Sequence, residues 1–356
     1  MKINLVMIVK NEERSLKRCL EAARNLADEI IITDTGSTDR TVEIAEQMGA
    51  KVSYFKWCND FSAARNFSLE QSDADWNLIL DADEYVRPCS RESLEQAIEA
   101  RTGRWIGGII RYDSYHDENG ISESTSILPR LLPNGVRYTG LIHEQPLGEY
   151  PCYRIPLSAD HDGYLYVDKG ERNLPYLEQA VSRFPKDSYY QFQLASTLRN
   201  LRRLEESLVN FRNFYRLSGP KDGFRAGGVV LYLYTLLDLG TTPHLDEAAG
   251  IIMQEETALG EWSDFCFVCG LFYMKLVLSD VQRYINLLPN IEACYLKCLS
   301  LGEHPEAGGV VGTGSFKAAY NLGAWYEVSG QTELAKKYYR MAAEEGYTPA
   351  VERLNS

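Results

Sequence analysis

The sequence predicts two architectures in tandem. Residues 1–170 read as an α/β domain, a Rossmann-like, mostly parallel sheet with helices on both faces; residues 171–356 read as an all-α helical-repeat domain. Three observations carry this. Short apolar runs alternate with helical patterns through the first 110 residues, as strands joined by crossover helices do. Polar residues gather just beyond several of those runs, where open α/β sheets hold their ligands. After Tyr166 the strand-like runs stop, and small and aromatic residues recur at helix-hairpin spacing.

Taken in order, residues 5–9 read as a first strand and 12–27 as a helix. Residues 29–33 form a second strand ending in Asp34-Thr35-Gly36-Ser37-Thr38-Asp39, with a helix at 41–48. A third strand is expected at 51–55, a helix near 62–71, and a fourth strand at 76–80 that runs straight into Asp81-Ala82-Asp83-Glu84. Residues 105–167 change character: β-like pieces at 107–112, 126–132 and 154–157, with the turn Pro133-Asn134-Gly135, read as a mixed-sheet completion of the first domain. Further on, Leu322, Gly323, Tyr326, Gly330, Ala335, Tyr339 and Ala342 occupy the small and aromatic positions of a helix-turn-helix unit of about 34 residues. Leu194, Ala195, Leu198, Ser207, Phe211 and Phe214 repeat it, and degenerate copies are expected near 231–253 and 268–299. This pattern resembles a tetratricopeptide-repeat array, which binds peptides or mediates dimers.

Composition narrows the function. The 356 residues carry 37 Lys+Arg against 50 Asp+Glu, a formal net charge of -13, which argues against nucleic acid or an anionic membrane as the main partner. No run of about 20 apolar residues exists to span a bilayer. Residues 1–9 run into Lys10-Asn11-Glu12-Glu13 and read as a strand rather than a signal segment, so the expected location is cytoplasmic. Among eight cysteines, the pairs Cys266/Cys269 and Cys294/Cys298 lie in apolar stretches without turn residues between them, and read as small residues on buried helix faces.

Asp81-x-Asp83 after a buried strand is the central chemical signal. Two carboxylates one residue apart in a loop can reach a hard divalent cation, magnesium or manganese, shared with substrate phosphates. Glu84 either joins them or faces solvent. At Asp34-Thr35-Gly36-Ser37-Thr38-Asp39 a turn and helix cap account for Ser37, Thr38 and Asp39. Asp34 stands at the strand terminus, where its carboxylate would accept the imide N–H of a uracil.

Together, residues 9–13, 34–41, 60–66 (Asp60-Phe61-Ser62-Ala63-Ala64-Arg65-Asn66) and Asp81-Ala82-Asp83 resemble, in order and spacing, the GT-A glycosyltransferases of family 2. Residues 140–146 (Gly140-Leu141-Ile142-His143-Glu144-Gln145-Pro146), His161-Asp162-Gly163-Tyr164 and Arg172-Asn173-Leu174 are similar to a narrower branch with C-terminal tetratricopeptide repeats, the sublancin-type peptide S-glycosyltransferases. The resemblance implies a UDP-sugar donor, UDP-glucose by default, a Mn2+ or Mg2+ cofactor, and a peptide or protein acceptor, whose nucleophile the sequence leaves open between a cysteine thiol and a Ser/Thr hydroxyl. Val9, Glu12 and Asp34 would hold the uridine, with Arg65 against the nucleotide. Asp83 would bind the metal, and Asp81 the ribose or a metal-bound water. Inverting transfer needs a carboxylate base opposite the diphosphate, and Glu144 is the choice, with Asp160 and Asp162 in reserve. His143 and His161 are candidates for a diphosphate donor or a metal ligand. The helical repeats would recruit the polypeptide acceptor or pair two copies of the chain.

Three other readings bear on these residues. A transferase of lipopolysaccharide or capsule oligosaccharides would favour a basic amphipathic surface. A nucleotidyltransferase would want a glycine-rich phosphate loop after the first strand, and Lys10-Asn11-Glu12-Glu13 has no glycine. A non-catalytic repeat scaffold would not need Asp81, Asp83, Glu144 and Arg65 together.

Overall fold

In the computed structural model, which describes residues 1–117, 120–166 and 169–355, the N-terminal apolar run is strand β1 (Ile3–Val9). Ile3, Leu5, Met7 and Val9 pack on one face of the sheet with Leu16, Cys19 and Leu20 of helix α1 (Leu16–Ala23). Val6 packs on the other face with Ile31, Leu69 and Ile79. Burial on both faces is what a central parallel strand requires, and it explains the nearly unbroken apolar run.

Next come β2 (Glu29–Asp34), α2 (Thr41–Gln47), β3 (Lys51–Tyr54), α3 (Phe61–Glu70) and β4 (Trp76–Ile79). These four strands pair in parallel, β1 lying between β2 and β4, and β3 on the far side of β2. The chain continues through β5 (Glu84–Val86), α4 (Arg91–Glu99), β6 (Ile106–Asp117) and β7 (Gly120–Pro133). A separate two-stranded sheet, β8 (Tyr138–Thr139) and β9 (Gln145–Pro146), precedes β10 (Cys152–His161) and the short α5 (Gly163–Tyr166). The main sheet runs β3-β2-β1-β4-β7-β6-β10-β5. It is mixed, because β7 is antiparallel to β4 and β10 is parallel to β6 but antiparallel to β5. The strands expected at 107–112, 126–132 and 154–157 are the cores of the longer β6, β7 and β10.

Three elements differ from expectation for local reasons. Helix α1 begins at Leu16, not at residue 12, because the preceding backbone is tied elsewhere. Asn11 N–H donates to Ser37 Oγ, Glu12 N–H to Thr41 Oγ1 and Glu13 N–H to Asp39 Oδ2, and Asn11 takes a left-handed φ of 56°. Ser37 and Thr38 do not cap α2; Asp39 Oδ1 accepts the Thr41 N–H instead, at 3.0 Å. Helix α4 lies outside the expected set, although Ser90 caps it by accepting the Ser93 N–H and Leu94 and Ile98 bury one face.

Two compact units divide the chain. One holds Met1–His116 and Glu123–Lys169; the other holds Asp117–Ser122 and Gly170–Ser356. In the second unit, α6 (Gly170–Arg183) is followed by α7 (Ser188–Asn200) against α8 (Leu204–Leu217) and α9 (Arg225–Leu239) against α10 (Thr242–Leu259). Then α11 (Ser263–Ser279) packs on α13 (Leu288–Leu301), with the short α12 (Val281–Tyr284) between them in the chain. Strand β11 (Gly309–Val310) leads to α14 (Phe316–Val328) against α15 (Thr332–Glu344), then α16 (Thr348–Asn355). Leu194, Ala195, Leu198, Ser207, Phe211 and Phe214 are buried at the first hairpin, and Leu322, Tyr326, Ala335, Tyr339 and Ala342 at the last. At Gly323 an added Cβ would stand 2.7 Å from the Tyr339 ring, so the small residue sets how closely α14 and α15 approach. Cys266, Cys269 and Cys298 are buried on α11 and α13, and burial raises their thiol pKa values. No helix among the described residues is long and apolar enough to cross a membrane.

Candidate active site

The site is built at the carboxyl end of β4, where Leu80 leads into Asp81-Ala82-Asp83 and β5 begins at Glu84. Helix α3 supplies its cation. Asp60 caps that helix by accepting the Ala63 N–H at 3.0 Å, which sets Arg65 one and a half turns in, buried at 6% exposure. Arg65 Nη2 donates to Asp81 Oδ1 at 2.8 Å and its Nε to Glu144 Oε1 at 2.6 Å. Asn66, next in the chain, holds β8 in place: its amide donates to Tyr138 O, and its carbonyl accepts the Tyr138 N–H.

Glu144 arrives on the loop between β8 and β9. Phe61 N–H donates to Leu141 O at 3.0 Å, fixing that loop to the start of α3, and His143 then turns through a left-handed φ of 50° just before Glu144. Arg65 thus joins residues from three separate motifs, α3, the β4 end and the 140–146 segment.

Asp81 and Asp83 face different partners. Both Asp81 oxygens are held by arginines, Oδ1 by Arg65 and Oδ2 by Arg130 Nη2 at 2.8 Å. Burial alone would favour the neutral acid, but the Arg130 and Arg65 charges outweigh it and hold Asp81 well below the usual carboxylate range. Asp83 Oδ2 lies 2.6 Å from Lys169 Nζ and 3.3 Å from His161 Nε2. Its pKa is also lowered, His161 and Lys169 overcoming the cost of burial.

Strand register explains the histidine. His161 lies opposite Glu84 on β5 and beside Asp113 on β6. Its Nδ1 is 2.7 Å from Asp113 Oδ1, which leaves Nε2 directed at Asp83. Burial opposes the imidazolium, yet Asp113 and Asp83 raise the His161 pKa above its ordinary value. Glu84 is fully buried; its Oε1 accepts from Arg130 and from Arg111 Nη1, the latter at 3.1 Å. It belongs to this network rather than to solvent.

The remaining candidates lie around the strand ends. Asp34 accepts the Gly36 N–H at 2.9 Å and the Ser37 N–H at 3.1 Å, so its carboxylate also shapes the turn after β2. The Val9 carbonyl accepts the Thr35 N–H, and its side chain lies in the core. Glu12 accepts from Ser15 Oγ, and burial raises its pKa. Asp160 is paired with Arg87, and Asp162 with Arg14 and the Tyr85 hydroxyl, both outside the network around Asp81 and Asp83. Among the described residues, no three His, Cys, Asp or Glu side chains gather closely enough to hold a metal alone. Asp81 in particular is turned to Arg65 and Arg130 rather than to the Asp83–His161 pair.

Known proteins resolve the class. Residues 5–147 match the family described as Glycosyl transferase family 2. These residues are a family 2 glycosyltransferase domain. The chain is also similar to the SPbeta prophage-derived glycosyltransferase SunS of Bacillus subtilis, 28% identical over 303 residues, covering 80% of this chain and 69% of SunS. A TPR repeat-containing protein of Synechococcus elongatus is 49% identical over 82 residues, which is 23% of this chain and 20% of that protein. Among solved structures, MamA of Desulfovibrio magneticus covers 49% of this chain at 16% identity and a TM-score of 0.38.

Within the glycosyltransferase domain and the strands that follow it, four charged residues of the network were not singled out from sequence. Arg111 and Asp113 lie two apart on β6, hence on one face. Arg130 interrupts the apolar run Leu128-Pro129-Arg130-Leu131-Leu132. An arginine inside a strand otherwise made for the core signals a buried carboxylate partner. Lys169 carries no such signal.

Proposed function

We propose that the protein is an inverting, metal-dependent hexosyltransferase. It moves a sugar from a UDP-sugar, UDP-glucose foremost, to a peptide or protein acceptor, with a cysteine thiol as the leading nucleophile. The observation that carries this reading is the bridge through Arg65. One guanidinium links Asp81, next to the Asp83–His161 pair, to Glu144 on the loop across the site.

In this reading Asp83 and His161 would hold the divalent cation, of the oxygen- and nitrogen-binding kind that magnesium and manganese represent. The donor set fits: a carboxylate and an imidazole nitrogen converge, and the Lys169 ammonium stands beside them as a cation already in place. Gly163 keeps the space open, since a Cβ there would lie 2.7 Å from His161 Nε2 and against Asp83 Oδ2. The bound cation would supply charge neutralisation to the departing UDP.

The protein's own groups do the rest. Asp34, Val9 and Glu12 line the uridine end, His143 lies beside the diphosphate, and Asp81 is fixed by two arginines to meet the ribose or a metal-bound water. Glu144 accepts the acceptor's proton. A thiol acceptor lowers the demand on that base, because a thiol ionises near neutral pH and a hydroxyl does not. The helical repeats recruit the polypeptide acceptor.

The test is calorimetric UDP binding with Mn2+ or EDTA, followed by UDP release across a panel of UDP-sugars. Mn2+-dependent binding and slow release from one donor are expected. No UDP binding in Mn2+, together with no release from any donor, would sink the reading.

A further inference from the structure

We propose that Lys169 is a tethered counter-cation of the metal site. Its ammonium holds the divalent cation's place beside Asp83, and is exchanged for that cation when the nucleotide-sugar binds, moving to a phosphate oxygen of the donor. This rests on the reading of Asp83 and His161 as cation ligands.

Three atoms converge on one spot above Gly163. An added Cβ there would lie against Asp83 Oδ2, 2.7 Å from His161 Nε2 and 2.9 Å from Lys169 Nζ. The lysine nitrogen is 2.6 Å from the same Asp83 oxygen that faces the histidine. An ammonium at hydrogen-bond distance and a divalent ion repel each other across that one oxygen, so the two compete for it. Occupation by the ammonium and by a divalent ion are therefore alternatives.

The choice of residue type fits exchange. Arg65, Arg111 and Arg130 hold Asp81, Glu84, Asp113 and Glu144, with fixed planar forks suited to permanent pairs. Asp83 instead takes a lysine, a compact point charge on a flexible stem that withdraws by rotating its side chain. The Lys169 side chain is 24% exposed while that of Asp83 is 7% exposed, so the cation lies on the solvent side of its partner.

The experiment measures Mn2+ binding by the free-ion electron paramagnetic resonance signal, with and without UDP, for the wild type, Lys169→Met, Lys169→Arg and Asp83→Asn. Matching thermal midpoints check that each variant is folded. Without nucleotide, Lys169→Met should bind Mn2+ about tenfold tighter than wild type, the change expected on removing one competing charge-assisted hydrogen bond. Lys169→Arg should restore wild-type affinity. At saturating Mn2+, Lys169→Met should bind UDP about tenfold more weakly, because the phosphate loses a cation. These opposite shifts are not what general damage to the site produces. Equal Mn2+ affinity in wild type and Lys169→Met, with Asp83→Asn still abolishing binding, overturns the role of Lys169 alone. No Mn2+ binding by wild type or Lys169→Met, with or without UDP, overturns the metal reading and this proposal with it.

Discussion

Replacing Arg130 by methionine tests whether the buried charges of the site are also a load on the fold. Glu84 is 0% exposed, and its Oε1 accepts from Arg130 and from Arg111, while its Oε2 accepts the Asp81 N–H at 3.1 Å. Arg130 also reaches Asp81. Removing one partner of a buried ion pair costs about 3–5 kcal/mol, because the other charge is left in the interior. Arg111 stays on Glu84 and Arg65 on Asp81, so the lower end, about 3 kcal/mol, is expected for Arg130→Met. At about 2–4 °C per kcal/mol, the unfolding midpoint of the first unit should fall by about 6–12 °C. Calorimetry on wild type, Arg130→Met, Glu84→Gln and the double variant makes the cycle. Glu84→Gln removes the stranded charge, so the double variant should be at least about 1 kcal/mol more stable than the two single losses added together. A midpoint shift below about 2 °C for Arg130→Met, or strict additivity in the double variant, would refute the argument.

Other consequences follow from single contacts. Glu144→Gln should leave Mn2+-dependent UDP binding within about twofold while stopping transfer to a true acceptor; transfer at the wild-type rate would remove Glu144 as the base. Asp113→Ala should weaken Mn2+ binding about 10- to 100-fold, since Asp113 fixes which ring nitrogen of His161 faces Asp83; unchanged affinity by paramagnetic resonance would exclude that role. In the second unit, burial pushes the Asp264 carboxyl up to about 7 from an ordinary 3.8. Between those values the folded protein keeps a proton that the unfolded chain has lost, so stability falls as pH rises through that window, by about 4 kcal/mol in full. Urea titrations at pH 5 and pH 8 should show the part of that loss lying above pH 5, about 3 kcal/mol, in wild type and not in Asp264→Asn; parallel curves would contradict it.

How much of this could be read from the sequence depends on how local its causes are. β1, β2 and β4 were legible because a strand buried on both faces is apolar at most of its positions, and Asp81 and Asp83 were legible because they follow such a run at its end. The start of α1 was not, since the N–H groups of Asn11, Glu12 and Glu13 are taken by side chains 26 to 29 residues away. The same limit applies to His161. Its motif was visible, but its neighbour Asp113 is set by the pairing of β10 with β6, 48 residues apart in the chain, and a register shift between Arg154 and Ser158 intervenes. The motif of Arg65 leads to a nucleotide contact; its carboxylate partners, Asp81 and Glu144, lie 16 and 79 residues away in the chain and are visible only in the fold.

The charge balance of the network bears on what the site accepts. Asp81, Asp83, Glu84, Asp113 and Glu144 supply five carboxylates, and Arg65, Arg111, Arg130 and Lys169 supply four permanent cations. Leaving His161 aside, the network is one charge short of neutral. A divalent ion added while Lys169 stays in place would overshoot, and would put two cations on one Asp83 oxygen. If the ion instead arrives with a diphosphate, the anion offsets the excess and offers Lys169 a new partner. On the proposed reading, metal and nucleotide therefore bind with positive coupling. By linkage the coupling is reciprocal: UDP should tighten Mn2+ by the same factor as Mn2+ tightens UDP. Carboxylates held by arginine forks stay fixed through that exchange. The lysine is the one cation of the four whose partner gains a replacement, since Asp83 then has the incoming ion.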